Sequence, residues 1–201
     1  MGLVQLTPPA SEPISLADAK NHLRIDSDIT SDDTLINLLI SAARRYGETI
    51  TGRSFITQQW RLTLDGWASG LDDSLYSLIE LPRGDVQRVD QITYLDMSRV
   101  QQTLDLSTVA QDLSINPARL TPIFGTVWPP ALPQIAAVKI DYTTGYGDSA
   151  ASVPEGIRQW MLVRISTLYE HREEVEVVSR GKVEPMPFVD SLLDPYRVLV
   201  L

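Results

Sequence analysis

The sequence predicts an α+β fold: a small helical bundle core, an inserted antiparallel β block and an extended C-terminal tail. Three observations carry that expectation. Apolar residues recur at helical spacing in residues 16–52 and again in 154–174, and between them the period drops to two. Pro and Gly cut the middle of the chain into short runs, as an antiparallel block requires. Past residue 179 the chain is rich in proline and ends on apolar residues.

The elements follow in order. Ser15-Leu-Ala-Asp18 has the spacing of a capping box, and Leu16, Ala19 and Leu23 mark one face of a short helix ending near Arg24. A polar loop, 26–30, leads to Thr30-Ser-Asp-Asp33, whose acids suit the positive end of a second helix. Ile36, Leu39, Ile40, Ala43, Gly47 and Ile50 give that helix its stripe, and Gly52 stops it. Trp60, Leu62 and Leu64 then alternate with Arg61, Thr63 and Asp65, the pattern of a half-buried strand. Further strands are expected over 75–81, 89–95, 103–106, a short run through Leu113 and Ile115, and 138–142, the last ended by Gly145 and Gly147. Pro154 is placed at the first position of the next helix. Its stripe is Ile157, Trp160, Met161, Ile165, Leu168 and Tyr169, and it ends around Glu173 to Glu176. Arg180-Gly-Lys182 reads as a hinge, and Pro185 and Pro187 prevent regular helix beyond it. The expected division is 1–55 for the N-terminal helices, 56–147 for the inserted β block, 148–178 for the returning helix and 179–201 for hinge and tail.

Composition narrows the function. The 201 residues suit one domain carrying a large insertion, long enough to bury a core. No Cys is present, which removes disulfides, thiolate metal sites and a Cys nucleophile. The net charge of −9 is spread over the whole chain: seven acids and five bases in 1–60, nine and five in 61–120, ten and seven in 121–201. Gripping a nucleic-acid backbone needs clustered Lys and Arg, so tight DNA or RNA binding is not expected. Neither a signal peptide nor an apolar run of about 20 residues is visible, so a soluble intracellular protein is the expectation.

The search for chemistry ends without a catalytic residue, cofactor site or metal site. His22 and His171 stand on separate helices without a second ligand, and His171, in Glu170-His-Arg-Glu-Glu174, reads as a solvated helix end. No nucleophile elbow, Walker A or dinucleotide fingerprint occurs, and Gly145-Tyr-Gly147 runs into Asp148 where a phosphate would sit. Asp32-Asp33 and Asp72-Asp73, with Trp60, Trp67 and Trp128, raise a glycosidase reading, but adjacent acids in caps and turns do not face one cleft. A carbohydrate-active enzyme is thus a remote alternative. Trp67 and Trp128, in loop-like sequence, are candidates for interface anchors or for local packing.

The tail points to assembly. Phe188, Leu192, Leu193, Tyr196, Arg197 and Leu199 form the candidate partner-binding set in a segment that closes on Val198-Leu-Val-Leu201. Chain ends are usually polar and frayed. An apolar end must bury itself in its own domain or in a partner, and the hinge favours a segment that reaches away.

Ile14-Ser-Leu-Ala-Asp-Ala-Lys-Asn-His-Leu-Arg-Ile25 resembles the opening of the head–tail connector (adaptor) family of tailed bacteriophages. The resemblance continues through Asp32-Asp-Thr-Leu-Ile-Asn-Leu-Leu-Ile-Ser-Ala-Ala-Arg44, Glu48 and Thr51-Gly-Arg53. It resumes at Val153-Pro-Glu-Gly-Ile157 and Leu168-Tyr-Glu-His-Arg172, and closes at Leu192-Leu-Asp-Pro-Tyr-Arg197. It covers roughly half the chain, all of it in the expected helices and the tail. It implies a longer form with a β insertion and a structural virion protein rather than an enzyme. What it implies further is a homo-oligomeric ring of twelve subunits beneath the portal, with DNA passing through the lumen unbound and tail-side neck or tail-completion proteins docking below. The tail segment would engage the portal, the site would be the virion neck, assembly would take place in the host cytoplasm, and no membrane would be involved. Gene transfer particles use related proteins, and a tail-completion or baseplate subunit is the alternative.

Overall fold

The structure is a computed structural model that describes residues 1–67, 78–171 and 187–198. The described chain divides into two compact units, a helical unit (11–56, 147–171 and 187–197) and a β unit (1–10, 57–67, 78–146 and 198). The expected α+β architecture with antiparallel sheets is present.

In the helical unit, α1 (Leu16–Leu23) starts as the sequence requires. Ser15 Oγ accepts the Asp18 amide proton at 3.0 Å, and Arg24 ends the helix in the left-handed region at φ 58°. α2 (Asp33–Thr51) buries Ile36, Ile40 and Ala43, and Gly52 closes it at φ 68°. α3 (Glu155–Glu170) buries Ile157, Trp160, Met161 and Ile165. Pro154 is its N-cap rather than its first residue, and the cap at His171 ends the helix before Glu173, since the His171 amide still bonds Thr167 O. A short helix, α4 (Pro187–Ser191), follows; Pro187 opens it instead of preventing it, because the first turn has no use for that amide proton. The expected hinge at 180–182 lies outside the described residues.

The contact between α2 and α3 is close because of one glycine. A Cβ built on Gly47 would come within 2.8 Å of Phe55 Cε2 and 3.0 Å of Trp160 Cζ3. Alanine improves helix propensity by about 1 kcal/mol over glycine. Overpacking a rigid aromatic contact nevertheless costs about 1–3 kcal/mol. Gly47→Ala is therefore expected to lower the denaturation midpoint, and an unchanged or raised midpoint in urea unfolding would show that Phe55 and Trp160 can yield.

The β unit has two antiparallel sheets. One has five strands in the order β1 (Gly2–Thr7), β2 (Gln58–Leu64), β8 (Val138–Thr144), β4 (Val86–Leu95) and β5 (Gln101–Thr103); the other runs β3 (Ile79–Leu81), β7 (Ala118–Pro122), β6 (Val109–Asp112). Inward residues of both share one core: Leu62, Ile92, Ile140 and Tyr142 from the larger sheet, Leu81 and Leu120 from the smaller. In β2 the expected alternation holds, with Trp60 and Leu62 inward and Arg61 outward. Arg61 faces Asp141 across the sheet and donates to both its oxygens at 2.6 and 2.7 Å. Tyr142 is fully buried, and its hydroxyl donates to Pro82 O at 3.0 Å.

Three expectations need correction. Residues 2–7 are a strand of the large sheet, so the N-terminus joins the β unit and not the helices. The strand expected over 103–106 stops at Thr103, because Asp105 caps a 3-10 turn at Leu106–Thr108. The run through Leu113 and Ile115 is a loop; Asp112 accepts from both the amide and the hydroxyl of Ser114 and turns the chain there. The strand lies just before it, in β6, and its partner β7 was not anticipated. Of the strand expected over 75–81, the described part is β3 with Leu78 before it.

Candidate partner-docking site

The tail of the helical unit is the candidate site, and its residues divide sharply. Leu193 is fully buried. On either side of it, Trp160 Nε1 donates to Asp190 Oδ1 at 3.0 Å, and Arg53 Nε donates to Tyr196 O. Gly156 gives the tyrosine its place: a Cβ there would meet Tyr196 Oη at 3.0 Å. Asp194 is the first residue of a closing turn, Asp194–Tyr196, with Pro195 next to it, so the turn is preset by the ring. The described tail is thus tied to α3 at Trp160 and to the segment after α2 at Arg53, with Leu193 buried.

What remains outward is small and polar-edged. Arg197 is exposed and pairs with Asp194 at 3.0 Å, a contact that solvent weakens. Leu192 is half-buried and lines an open groove of about 660 Å³ with Ile14, Asp18, His22, Glu155 and Arg158. A buried Leu193 cannot meet a partner without leaving its own unit, which separates it from Leu192, Tyr196 and Arg197 in the candidate set. Leu199 and the side chain of Phe188 lie outside the described residues.

The tryptophans pack locally. Trp67 and Trp128 stack at 4.6 Å with planes 3° apart, and Trp67 Nε1 donates to Pro129 O at 2.6 Å. Both rings lean on the β core. The acids of the glycosidase reading are also occupied or unplaced. Asp33 pairs with Lys20 at 2.9 Å, Asp32 accepts from Tyr169 Oη, and Asp72 and Asp73 lie outside the described residues. No group of three His, Asp or Glu residues suited to a metal occurs among the described residues. No described helix is long and apolar enough to cross a membrane.

Two buried features escaped the sequence reading. Lys20 is buried, and its ammonium donates to Ser27 O and Ile29 O at 3.2 and 2.6 Å as well as to Asp33, pinning the loop between α1 and α2. Arg44 is buried between Glu12 at 2.7 Å and Glu48 at 3.0 Å. Burial works against its charge. The hydrogen bond to Glu12, the charges of Glu48 and Glu12 and the hydrogen bond to Glu48 outweigh that effect, so its pKa stands above the ordinary arginine value.

Residues 13–89, which span α1, α2, β2, β3 and the start of β4, match the family of phage gp6-like head–tail connector proteins. Over those residues the chain is similar to the head–tail connectors of that family. Three solved structures share its fold over 100% of this chain and 97% of theirs. One is the neck of an empty gene transfer agent particle computed with C6 symmetry, at 24% identity and a TM-score of 0.77. Another is the virion of a native gene transfer agent particle, at 23% and 0.80. The third is the neck of a native particle computed with C12 symmetry, at 22% and 0.73. No curated protein matches the chain. The resemblance seen in residues 14–53 falls inside the matched segment, and neither the tail-completion or baseplate nor the carbohydrate-enzyme alternative is favoured.

Proposed function

We propose that this connector is the subunit of a ring in the virion neck, beneath the portal, through which DNA passes and to which the tail side of the neck docks. The match of residues 13–89 to the connector family carries the reading. Whole-chain likeness to proteins of ring-symmetric necks supports the ring, with twelve copies as the number. Its work is structural, and assembly takes place in the host cytoplasm. Charge supports an unbound duplex: each copy brings a net −9, and a lumen lined partly by acids repels phosphates. The tail meets the portal through its outward residues, Leu192, Tyr196 and Arg197, while Leu193 holds it in place. Folding the tail onto α3 first removes part of the ordering cost of docking.

Mass photometry of the purified chain, alone and mixed with the portal protein of the same particle, tests this. Rings that co-migrate with portal are expected. A chain that stays monomeric beside its portal sinks the reading, and so does retention of duplex DNA at physiological salt.

A further inference from the structure

The link between β7 and β8 carries an apolar projection that the connector reading does not use. Between Arg119 and Lys139 the sequence has no charged residue. Phe124 stands wholly in solvent, and Val127 is 85% exposed. This is a built turn and not a loose end. Thr126 N and Thr126 Oγ1 both donate to Ile123 O, at 3.0 and 2.8 Å, and Gly125 sits at φ 84°, as the third residue of such a turn requires. Both feet are fixed: Ile123 N donates to Thr108 O at 3.1 Å, and Trp128 is stacked on Trp67. Holding a phenylalanine out in water on a rigid turn is unfavourable for an isolated chain and favourable for a contact, since little freedom is left to lose.

The same unit carries a matching concavity. A groove of about 560 Å³ is lined by Leu6, Leu104 and Leu106 with Asp90, Asp105 and Asp141 around them. Those acids are already engaged. Asp141 is held by Arg61, Asp90 accepts from Arg88 at 2.6 Å and from Thr143 at 2.7 Å, and Asp105 accepts the Ser107 amide. Such a groove suits an uncharged apolar insert better than a cation.

Resting on the ring reading, we infer that Phe124 and Val127 of one subunit seat in the Leu6–Leu104–Leu106 groove of the next. The occupant is a second copy for a reason of charge. Copies with a net −9 repel, so the surfaces that bring them together must carry little charge: the finger carries none, and two of the groove's three acids are paired with Arg61 and Arg88. A projection and a hollow on one chain also give the two different complementary patches that a cyclic, head-to-tail contact needs.

The chain has no cysteine, so an engineered pair reports alone. The double variant Val127→Cys, Leu6→Cys, oxidised under ring-forming conditions, is expected to give a ladder of disulfide-linked oligomers on a non-reducing gel. A mixture of the two single variants should give dimers. Phe124→Ser, which changes no charge and touches no core, should raise the concentration for half-assembly at least tenfold. Rings of the double-cysteine variant that give no such crosslinks, a pair that closes only within one chain, or a Phe124→Ser protein that assembles like wild type each overturn the inference and leave the connector reading standing. A wild-type chain that makes no ring, alone or with portal, overturns both.

Discussion

Glu48→Ala is expected to lower the stability of the helical unit by about 3–5 kcal/mol, the cost of breaking a buried ion pair from one side. Arg44 and Glu48 each keep only 7% of their side-chain surface exposed, so solvent cannot replace what is lost. Glu48 also does a second job with its other oxygen. Oε1 accepts the Phe55 amide at 2.9 Å and fixes the turn that follows α2, while Oε2 holds Arg44. Alanine would leave that amide without its acceptor and a buried guanidinium with Glu12 alone. Glu12 is 30% exposed, so Glu12→Ala should cost less. The double variant Arg44→Met, Glu48→Leu removes both charges and should recover part of the loss, though not the amide bond. Urea unfolding of the four proteins checks the order; a Glu48→Ala midpoint equal to wild type would mean that water reaches Arg44.

The sequence showed those elements whose apolar residues keep one period. The stripe of α2 and the alternation in β2 and β8 each report a single buried face, the Ser15–Asp18 spacing reports a helix start, and each of these elements is present. β1 gave no such signal. Val4 and Leu6 are exposed on one side while Leu3 is half-buried on the other, so apolar residues occupy both faces and pairing with β2 defines the strand. β7 is bounded by Pro117 and Pro122 and offers only Ala118 and Leu120 to the core, too short a run to show a period. Turn chemistry decided the remaining errors: Asp105 and Asp112 each use a carboxylate to bond an amide two residues on, which breaks a strand at no visible change in hydropathy.

The functional reading came by a different route. The family resemblance in 14–53 pointed to a connector, because it rests on residue identity in order and not on any one physical pattern. The buried cations were not legible. Lys20 reads as an outward residue of a short helix until the carbonyls of Ser27 and Ile29 fold over it, a long-range event that spacing along the chain does not encode. The tryptophan pair has the same character, since Trp67 and Trp128 meet only through the fold.

The tail gives the second large effect. Leu193→Ala is expected to cost the helical unit about 2–5 kcal/mol, the range for deleting a fully buried leucine side chain, and Leu193→Asp to free the tail from α3 altogether. The apolar chain end had two readings, a segment packed on its own unit or one kept for a partner; Leu193 is packed, and the proposed portal contact falls to the residues beside it. Leu193 fixes the segment, while Arg197 and part of Leu192 and Tyr196 stay outward. Deleting residues 187–201 should therefore lower stability as well as portal docking, since Trp160 Nε1 would lose Asp190 and the face at Gly156 would open to water. The two roles separate by residue. Arg197→Ala breaks only an exposed pair, so it should weaken portal binding with a denaturation midpoint within experimental error of wild type. Leu193→Ala should move both. A Leu193→Ala protein with unchanged stability but no portal binding would show instead that the leucine leaves α3 to dock, and that the packed tail is a resting state.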